Sequence, residues 1–195
     1  MSLILASSSP FRKAILDKLG LDFEVVAPEI NEDRRVNESP IDLVTRLSKE
    51  KAVAVAKSKT GLIIASDQVA TLDTGYKAND SILTKPGSHE NAFLQLKKSS
   101  GKTVNFLTGL VLMNTKNLNT QVHVEHFKVL FKTLSDNQIL KYLSREDVLN
   151  CAGSFKSEGL GIALFTEMEG NDPNSLIGLP TIQLIDMLAK ENVQV

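Results

Sequence analysis

A four-residue apolar run, Leu3-Ile4-Leu5-Ala6, breaks off into Ser7-Ser8-Ser9 and is followed at once by Pro10. Few arrangements satisfy that order. The run has the length of a short buried strand, and serine is a favoured helix cap. Proline suits the first helical position, because the N–H it lacks would have no intrahelical partner there. Phe11, Ile15, Leu16 and Leu19 then recur at helical spacing, and Gly20 closes the helix. A second short strand is predicted at 23–26, so strand and helix alternate from the first residues onward.

The same cap-then-proline signal returns at Ser39-Pro40, where Leu43, Val44, Leu47, Ala54 and Val55 predict a long amphipathic helix to about Lys57. Residues 61–66 form a continuous apolar run, predicted as a strand, with Asp67 just past its end. The stretch 69–83 reads as irregular, with Asp73-Thr74-Gly75 suited to a hairpin turn. Ser88 caps a third predicted helix to about Lys98. Residues 103–113 and 121–132 predict two long strands joined by a turn at 115–119; Phe127, Val129 and Phe131 alternate as in a half-buried strand. Ser135 and Gln138 form a capping box for a short helix through Leu143. A further strand is predicted at 161–165, and a last helix at 181–190 with Ile182, Ile185 and Leu188 inward. The pattern is α/β with a mixed sheet. The 195 residues fit a single domain spanning 1–195, long enough to bury about 70% of its unfolded surface without a disulfide or structural metal.

Charge removes several functions. Lys and Arg number 22 against 23 Asp and Glu, for a net charge of -1. A dedicated nucleic-acid binder carries a basic excess, so a polymer partner is not expected and any anion must be held by a local cluster. Aromatic residues are 5% with no tryptophan, too sparse for stacking single-stranded bases. The lone Cys151 suits a reducing compartment. The N-terminus lacks the basic region and apolar length of a signal peptide, and no run approaches the ~20 residues of a membrane span. The expected location is the cytoplasm.

Four segments could carry chemistry. Ser7 to Lys13 places a serine-rich turn before a helix whose N-terminal dipole and N–H groups favour an anion. Arg12 and Lys13 add charge where a cation is otherwise disfavoured, which fits phosphate as partner; a plain capped helix with exposed basic residues fits equally. Asp67, at the carboxyl end of a strand, stands where open α/β sheets place ligands, or it caps a turn. Glu29 and Glu32 supply further carboxylates in the polar loop 28–38, and Mg²⁺ bound with phosphates needs only one or two. Lys85-Pro86 and the stretch from Cys151 to Gly159 complete the set; the latter is small and flexible enough to approach a ligand closely. Gly159-Leu160-Gly161 lacks the third glycine of a dinucleotide fingerprint, and no phosphate-binding P-loop is present. His123 and His126 are three apart on a predicted strand, hence on opposite faces, and are not expected to share a metal.

Taken in order, Leu5-Ala-Ser-Ser-Ser-Pro-Phe-Arg12, Pro28-Glu-Ile-Asn-Glu32, Arg46-Leu-Ser-Lys-Glu-Lys-Ala52, Ser66-Asp-Gln-Val69, Lys85-Pro86 and Gly178-Leu-Pro180 resemble the Maf family of nucleotide pyrophosphatases, also called septum-formation inhibitor-like proteins. The resemblance spans essentially the whole chain. The stretch from Cys151 to Gly159 is similar to the YceF-type subgroup, the 7-methyl-GTP pyrophosphatases. It implies a Maf/ITPase-like fold: an elongated mixed sheet flanked by helices, two lobes with a central cleft, often dimeric. It implies hydrolysis of a nucleoside triphosphate to monophosphate and pyrophosphate with a divalent cation such as Mg²⁺ or Mn²⁺. The family's catalytic aspartate falls on Asp67. Phosphate-binding positions fall on Ser7, Arg12, Lys51 and Lys85, and metal-binding ones on Glu32 and Asp67. Substrate-selecting positions fall on Phe11, Gln68 and Glu158, where the family's dTTP/UTP branch typically has Arg, Thr and Gln. Lys13 stands where the family often has a second arginine, Phe11 where the subgroup often has tryptophan, and residues 73–83 are longer than the usual pattern.

The implied partner is a small nucleotide, with a homodimer as the implied assembly. A non-catalytic nucleotide-binding regulator of cell division could use the same cleft, but it has no need of acids beside the phosphates. A plain phosphatase or nucleotidyltransferase would differ in its product. Alanine at Lys51 or Lys85 is expected to lower kcat/KM with little change in melting temperature, as befits surface cations.

Overall fold

The protein is described here by a computed structural model covering residues 1–195. One six-stranded sheet organises it, in the order β2-β1-β3-β4-β5-β6. β1 (Leu3–Ala6) runs parallel to both β2 (Phe23–Val26) and β3 (Leu62–Thr71). β4 (Thr103–Asn114), β5 (Thr120–Phe131) and β6 (Phe165–Glu169) follow antiparallel, each to its neighbour. No helix is long and apolar enough to cross a membrane.

The helices form where the caps predict. Ser9 accepts from the Arg12 N–H at the start of α1 (Pro10–Asp17), and Ser39 accepts from Asp42 N–H at the start of α2 (Pro40–Ala56). Ser88 and Ser135 cap α3 (His89–Ser99) and α4 (Asp136–Leu143), the latter with the expected capping box. A short helix α5 (Pro173–Ile177), capped by Asp172, precedes α6 (Thr181–Lys190) and is not anticipated by periodicity because it is barely one turn.

The apolar side chains divide into separate cores, which gives the two lobes. In the first, Leu3, Leu5, Leu62 and Ile64 pack on Ile15 and Leu16 of α1 and on Leu184 and Leu188 of α6. The opposite face of the same strands, Ile4, Ala6 and Ile63, packs on Ala52 and Val55 of α2. In the second lobe Leu96, Phe106, Val129, Phe131 and Ile139 surround Phe155. The Phe155 ring meets those of Phe106, Phe131 and Phe165 edge-on at 4.8–5.5 Å, the arrangement their quadrupoles favour. This ring pins residues 151–159, so the stretch is anchored rather than flexible.

Two boundaries and one buried face differ from the sequence expectation. β3 does not stop at Ser66 but runs to Thr71, because β4 pairs with it along its whole length, Asp67 opposite Gly109. Aspartate is a poor strand residue, and the ladder overrides that preference. The last sheet strand begins at Phe165, since residues 160–164 close into a 3₁₀ turn. On α6 the buried residues are Thr181, Leu184, Met187 and Leu188; Leu188 is inward as expected, whereas Ile182 and Ile185 are exposed, so the helix is rotated from the expected inward face.

Candidate active site

A cleft of about 810 Å³ opens between the lobes. Its position follows from the sheet. One edge of β3 is covered by β1 only as far as Ala6 opposite Ala65, and the next partner on that edge is Leu83, bridged to Ala70. Between them the edge from Ser66 to Val69 is left open, at the carboxyl end of β1, and the cleft lies there. Asp67 is therefore mid-strand in the sheet yet at the mouth of a gap in it.

Alternation sends Asp67 and Gln68 to opposite faces. Asp67 turns to α2, where Lys51 Nζ lies 2.6 Å from its Oδ1 and 2.8 Å from Glu32 Oε1. One ammonium thus joins two carboxylates that approach from different walls. The Lys51 side chain is only 6% exposed and that of Asp67 10%, against 56% for Glu32. Burial works to raise the Glu32 pKa, but the Lys51 hydrogen bond and the charges of Lys51, Lys85 and Arg12 outweigh it and hold the carboxyl below its ordinary range. Gly109 sets this geometry. A Cβ on Gly109 would stand 2.5 Å from Ser48 Oγ and 2.6 Å from the Val44 carbonyl, so its absence lets α2 lie directly on the sheet beside Asp67.

Arg12 reaches the site from α1. Its Nε donates to the Gly178 carbonyl at 2.8 Å, which also accepts from Ser66 Oγ at 2.9 Å, and both terminal NH₂ groups stay without a protein acceptor. Burial lowers the guanidinium pKa from its ordinary value, opposed by Asp67 and Glu32. Ser7 Oγ accepts from Ser9 N–H, shaping the turn. In the first turn of α1, Pro10 has no N–H and those of Arg12 and Lys13 are bonded to Ser9, so only the Phe11 N–H is left for an anion. Lys13 does not join the cleft; it pairs with Asp17 at 2.8 Å on the exposed face.

The irregular segment after β3 is more ordered than its sequence suggests. Asp80 accepts from Gly75 N–H, Lys77 N–H and Thr74 Oγ1, so the loop is built around Asp80 rather than on a hairpin turn at Asp73-Thr74-Gly75. Arg34 donates to the carbonyls of Glu38, Ala78 and Asp80, tying this loop to the one carrying Glu32. Arg46 holds that second loop to α2 through both Glu38 oxygens, at 2.6 and 2.9 Å, and the Asp33 carbonyl. No motif points to Arg34, and Arg46 only begins one of the recognisable blocks. Lys85 leaves the clamped loop exposed at the cleft.

At the far end, Phe11 and Glu158 line the cleft together with Gln68 and Cys151. Gln68 Nε2 donates to Ser175 O at 2.7 Å and Thr108 Oγ1 at 3.0 Å, which leaves its carbonyl oxygen free. Glu158 meets only Ser157 Oγ at 3.4 Å. The Cys151 thiol is half-buried, and that burial pushes its pKa up to about 11, the opposite of an activated nucleophile. His123 and His126 have separate partners, Glu125 and Asn105, each at 2.9 Å.

An α/β sheet with an acid pair and several cations at a gap beyond β1 is the architecture of an enzyme for phosphorylated substrates. The family profile described as Maf-like protein matches residues 2–191, and the chain belongs to that family. It is 53% identical over 194 residues to a protein of Alcanivorax borkumensis named 7-methyl-GTP pyrophosphatase, covering 99% of this chain and 95% of that protein. A protein of the same name from Pseudoalteromonas atlantica is 52% identical over 195 residues, covering 100% and 97%. The Ham1 protein of Staphylococcus aureus shares the fold, with a TM-score of 0.55 at 12% identity over 99% of this chain and 100% of that one.

Proposed function

We propose that this chain is a nucleoside triphosphate pyrophosphatase that hydrolyses 7-methyl-GTP to 7-methyl-GMP and pyrophosphate. The observation that carries the reading is the Lys51 ammonium bridging Asp67 and Glu32 at the cleft; the name shared by relatives of about half identity over the whole chain supports the substrate. Water attacks the α-phosphorus, a new P–O bond forms, and the bond to the bridging oxygen breaks as pyrophosphate leaves. Asp67, fixed in place by Lys51, takes the proton of the attacking water. Arg12 and Lys85 hold the charge that accumulates on the departing pyrophosphate, with Ser7 shaping the turn beneath it. Glu32 and Asp67 are the residues that would hold a divalent cation. They fit one, since two carboxylates converge in the cleft lined by Arg12 and Lys85 and such an ion with phosphates needs few protein ligands. When bound, it would neutralise phosphate charge and polarise the attacked centre.

At the base, methylation at N7 leaves a delocalised positive charge on the ring. The Phe11 face attracts it by cation–π interaction, Glu158 by charge, and an arginine at position 11 would repel it. Gln68 offers its carbonyl oxygen from the neighbouring wall. The test is a panel of 7-methyl-GTP, GTP, dTTP and UTP with Mg²⁺ or Mn²⁺, separating pyrophosphate from phosphate release. Pyrophosphate is expected, fastest from 7-methyl-GTP, and Asp67→Asn should slow it roughly 10²–10⁴-fold. Glu158→Gln should cost 7-methyl-GTP more than GTP. Phosphate as the product overturns the reaction, and a nucleotide bound without turnover points to a regulator instead. Equal losses on both purines remove Glu158 from base reading.

A further inference from the structure

Two ammonium groups of the cleft, Lys85 and Lys156, have no acceptor within hydrogen-bond distance, and of the two only Lys156 is largely buried. Its side chain is 21% exposed, so much of it has left bulk water, yet its nearest carboxylate, Glu146 Oε1, stands at 3.6 Å. Glu146 cannot close that gap freely, because its other oxygen accepts from Leu160 N–H at 2.8 Å and packs where Gly159 lacks a Cβ. The Lys156 backbone is equally fixed: its N–H donates to Tyr142 Oη at 3.1 Å and its carbonyl accepts from Gly161 N–H at 3.0 Å. Across the cleft the ammonium lies 5.9 Å from the centre of the Phe11 ring. The donors therefore stand over the same ring face on which the base is to stack, and the ammonium must move aside along the base as it enters.

We infer that Lys156 reads the 6-oxo group of the purine. This rests on the proposed guanine-type substrate and adds the feature of the base that is recognised. A guanine presents an acceptor at O6 and donors at N1 and N2; the 6-position of adenine presents a donor instead. Lys156, a donor only, matches O6, and Glu158, an acceptor, matches the N–H groups beside it. An adenine would face both groups with the wrong polarity. Glu146 behind the ammonium offsets its repulsion from a methylated ring, so the same lysine serves GTP and 7-methyl-GTP.

The experiment changes one atom of the ligand and one group of the protein. GTP is compared with 6-thio-GTP, whose sulfur is a poor acceptor while N1–H and the 2-amino group remain. Wild type and Lys156→Met, which keeps a side chain of similar length without the charge, are assayed for kcat/KM; calorimetric binding of GMP against 6-thio-GMP gives a readout independent of turnover. Wild type should prefer the oxo form by roughly 10-fold, the value of a hydrogen bond to a charged group. In Lys156→Met the preference should shrink to within about 3-fold, while Lys156→Arg, which keeps donors, should retain most of it, and unchanged melting temperatures would show both variants folded. The same oxo preference in Lys156→Met as in wild type overturns the inference, as does the absence of any preference in wild type. If 7-methyl-GTP releases no pyrophosphate while the binding preference behaves as stated, the proposed reaction fails and the reading of O6 stands.

Discussion

Lys51→Met removes a buried charge and keeps most of the side-chain volume. Two carboxylates, both with an oxygen within 2.8 Å of the lost nitrogen, are then left with those oxygens at most about 5.4 Å apart and nothing between them; at an effective dielectric of ~20 their repulsion is about 3 kcal/mol. Deleting one partner of a buried pair typically costs about 3–5 kcal/mol. Glu32 is 56% exposed and can turn to water, whereas Asp67, at 10%, cannot. The stranded Asp67 therefore dominates, and we expect a loss of about 2–3 kcal/mol near neutral pH, or roughly 5–10 °C in melting temperature. This replaces the expectation from sequence that Lys51 behaves as a surface cation; Lys85, which is exposed, should still do so. The pH dependence has a definite sign. Lys51 holds the Glu32 pKa below its ordinary 4.5, so its contribution is complete above that value and fades as pH falls through the lowered one. In Lys51→Met the Glu32 carboxylate loses that support, so the gap to wild type should narrow as the pH falls from 7 toward and below the ordinary 4.5. Urea unfolding at both pH values measures it, beside pyrophosphate release, which should drop about 10²–10³-fold. If Lys51→Met and Lys85→Met unfold at the same urea midpoint at neutral pH, the argument from burial is wrong.

Two further perturbations test what positions the acid pair. Gly109→Ala would put a Cβ 2.6 Å from the Val44 carbonyl, a backbone atom that cannot turn aside; it should cost about 1–3 kcal/mol and lower kcat/KM by moving Lys51 off Asp67, and trimming Ser48 should not rescue it. A variant with wild-type stability and rate would show that α2 can shift without consequence. The hydrogen bond from Arg46 holds the Glu38 pKa down to about 2 from an ordinary 4.5. Its contribution is present above pH 4.5 and lost toward pH 2, so Glu38→Gln should unfold at lower urea than wild type near pH 7 and approach it at about pH 3. A constant difference across that range would mean that the charge of Glu38 contributes nothing.

Much of the fold is local in origin and hence legible in the sequence. Serine caps followed by proline start α1 and α2 wherever they occur, because the cap satisfies an N–H of the same turn. Apolar runs mark β1 and the start of β3, and alternation marks β5, since each reflects burial of the element's own face. Six ordered blocks also place Asp67, Glu32, Lys51, Arg12 and Lys85 in one site, and the structure brings Lys51, Asp67 and Glu32 into contact. Partners far along the chain decide the rest. β3 extends through Asp67 because β4 offers a full ladder, and nothing within residues 61–71 signals it. Gly178 matters because its carbonyl accepts from Arg12, 166 residues away. Lys51 is a buried counterion only because Gly109 lets α2 settle on the sheet. Lys156 is left with a long ion pair and no hydrogen bond because Glu146 is held by Leu160. Propensity and capping are short-range energies carried by neighbouring residues, whereas burial and charge pairing depend on which segments the folded chain brings together.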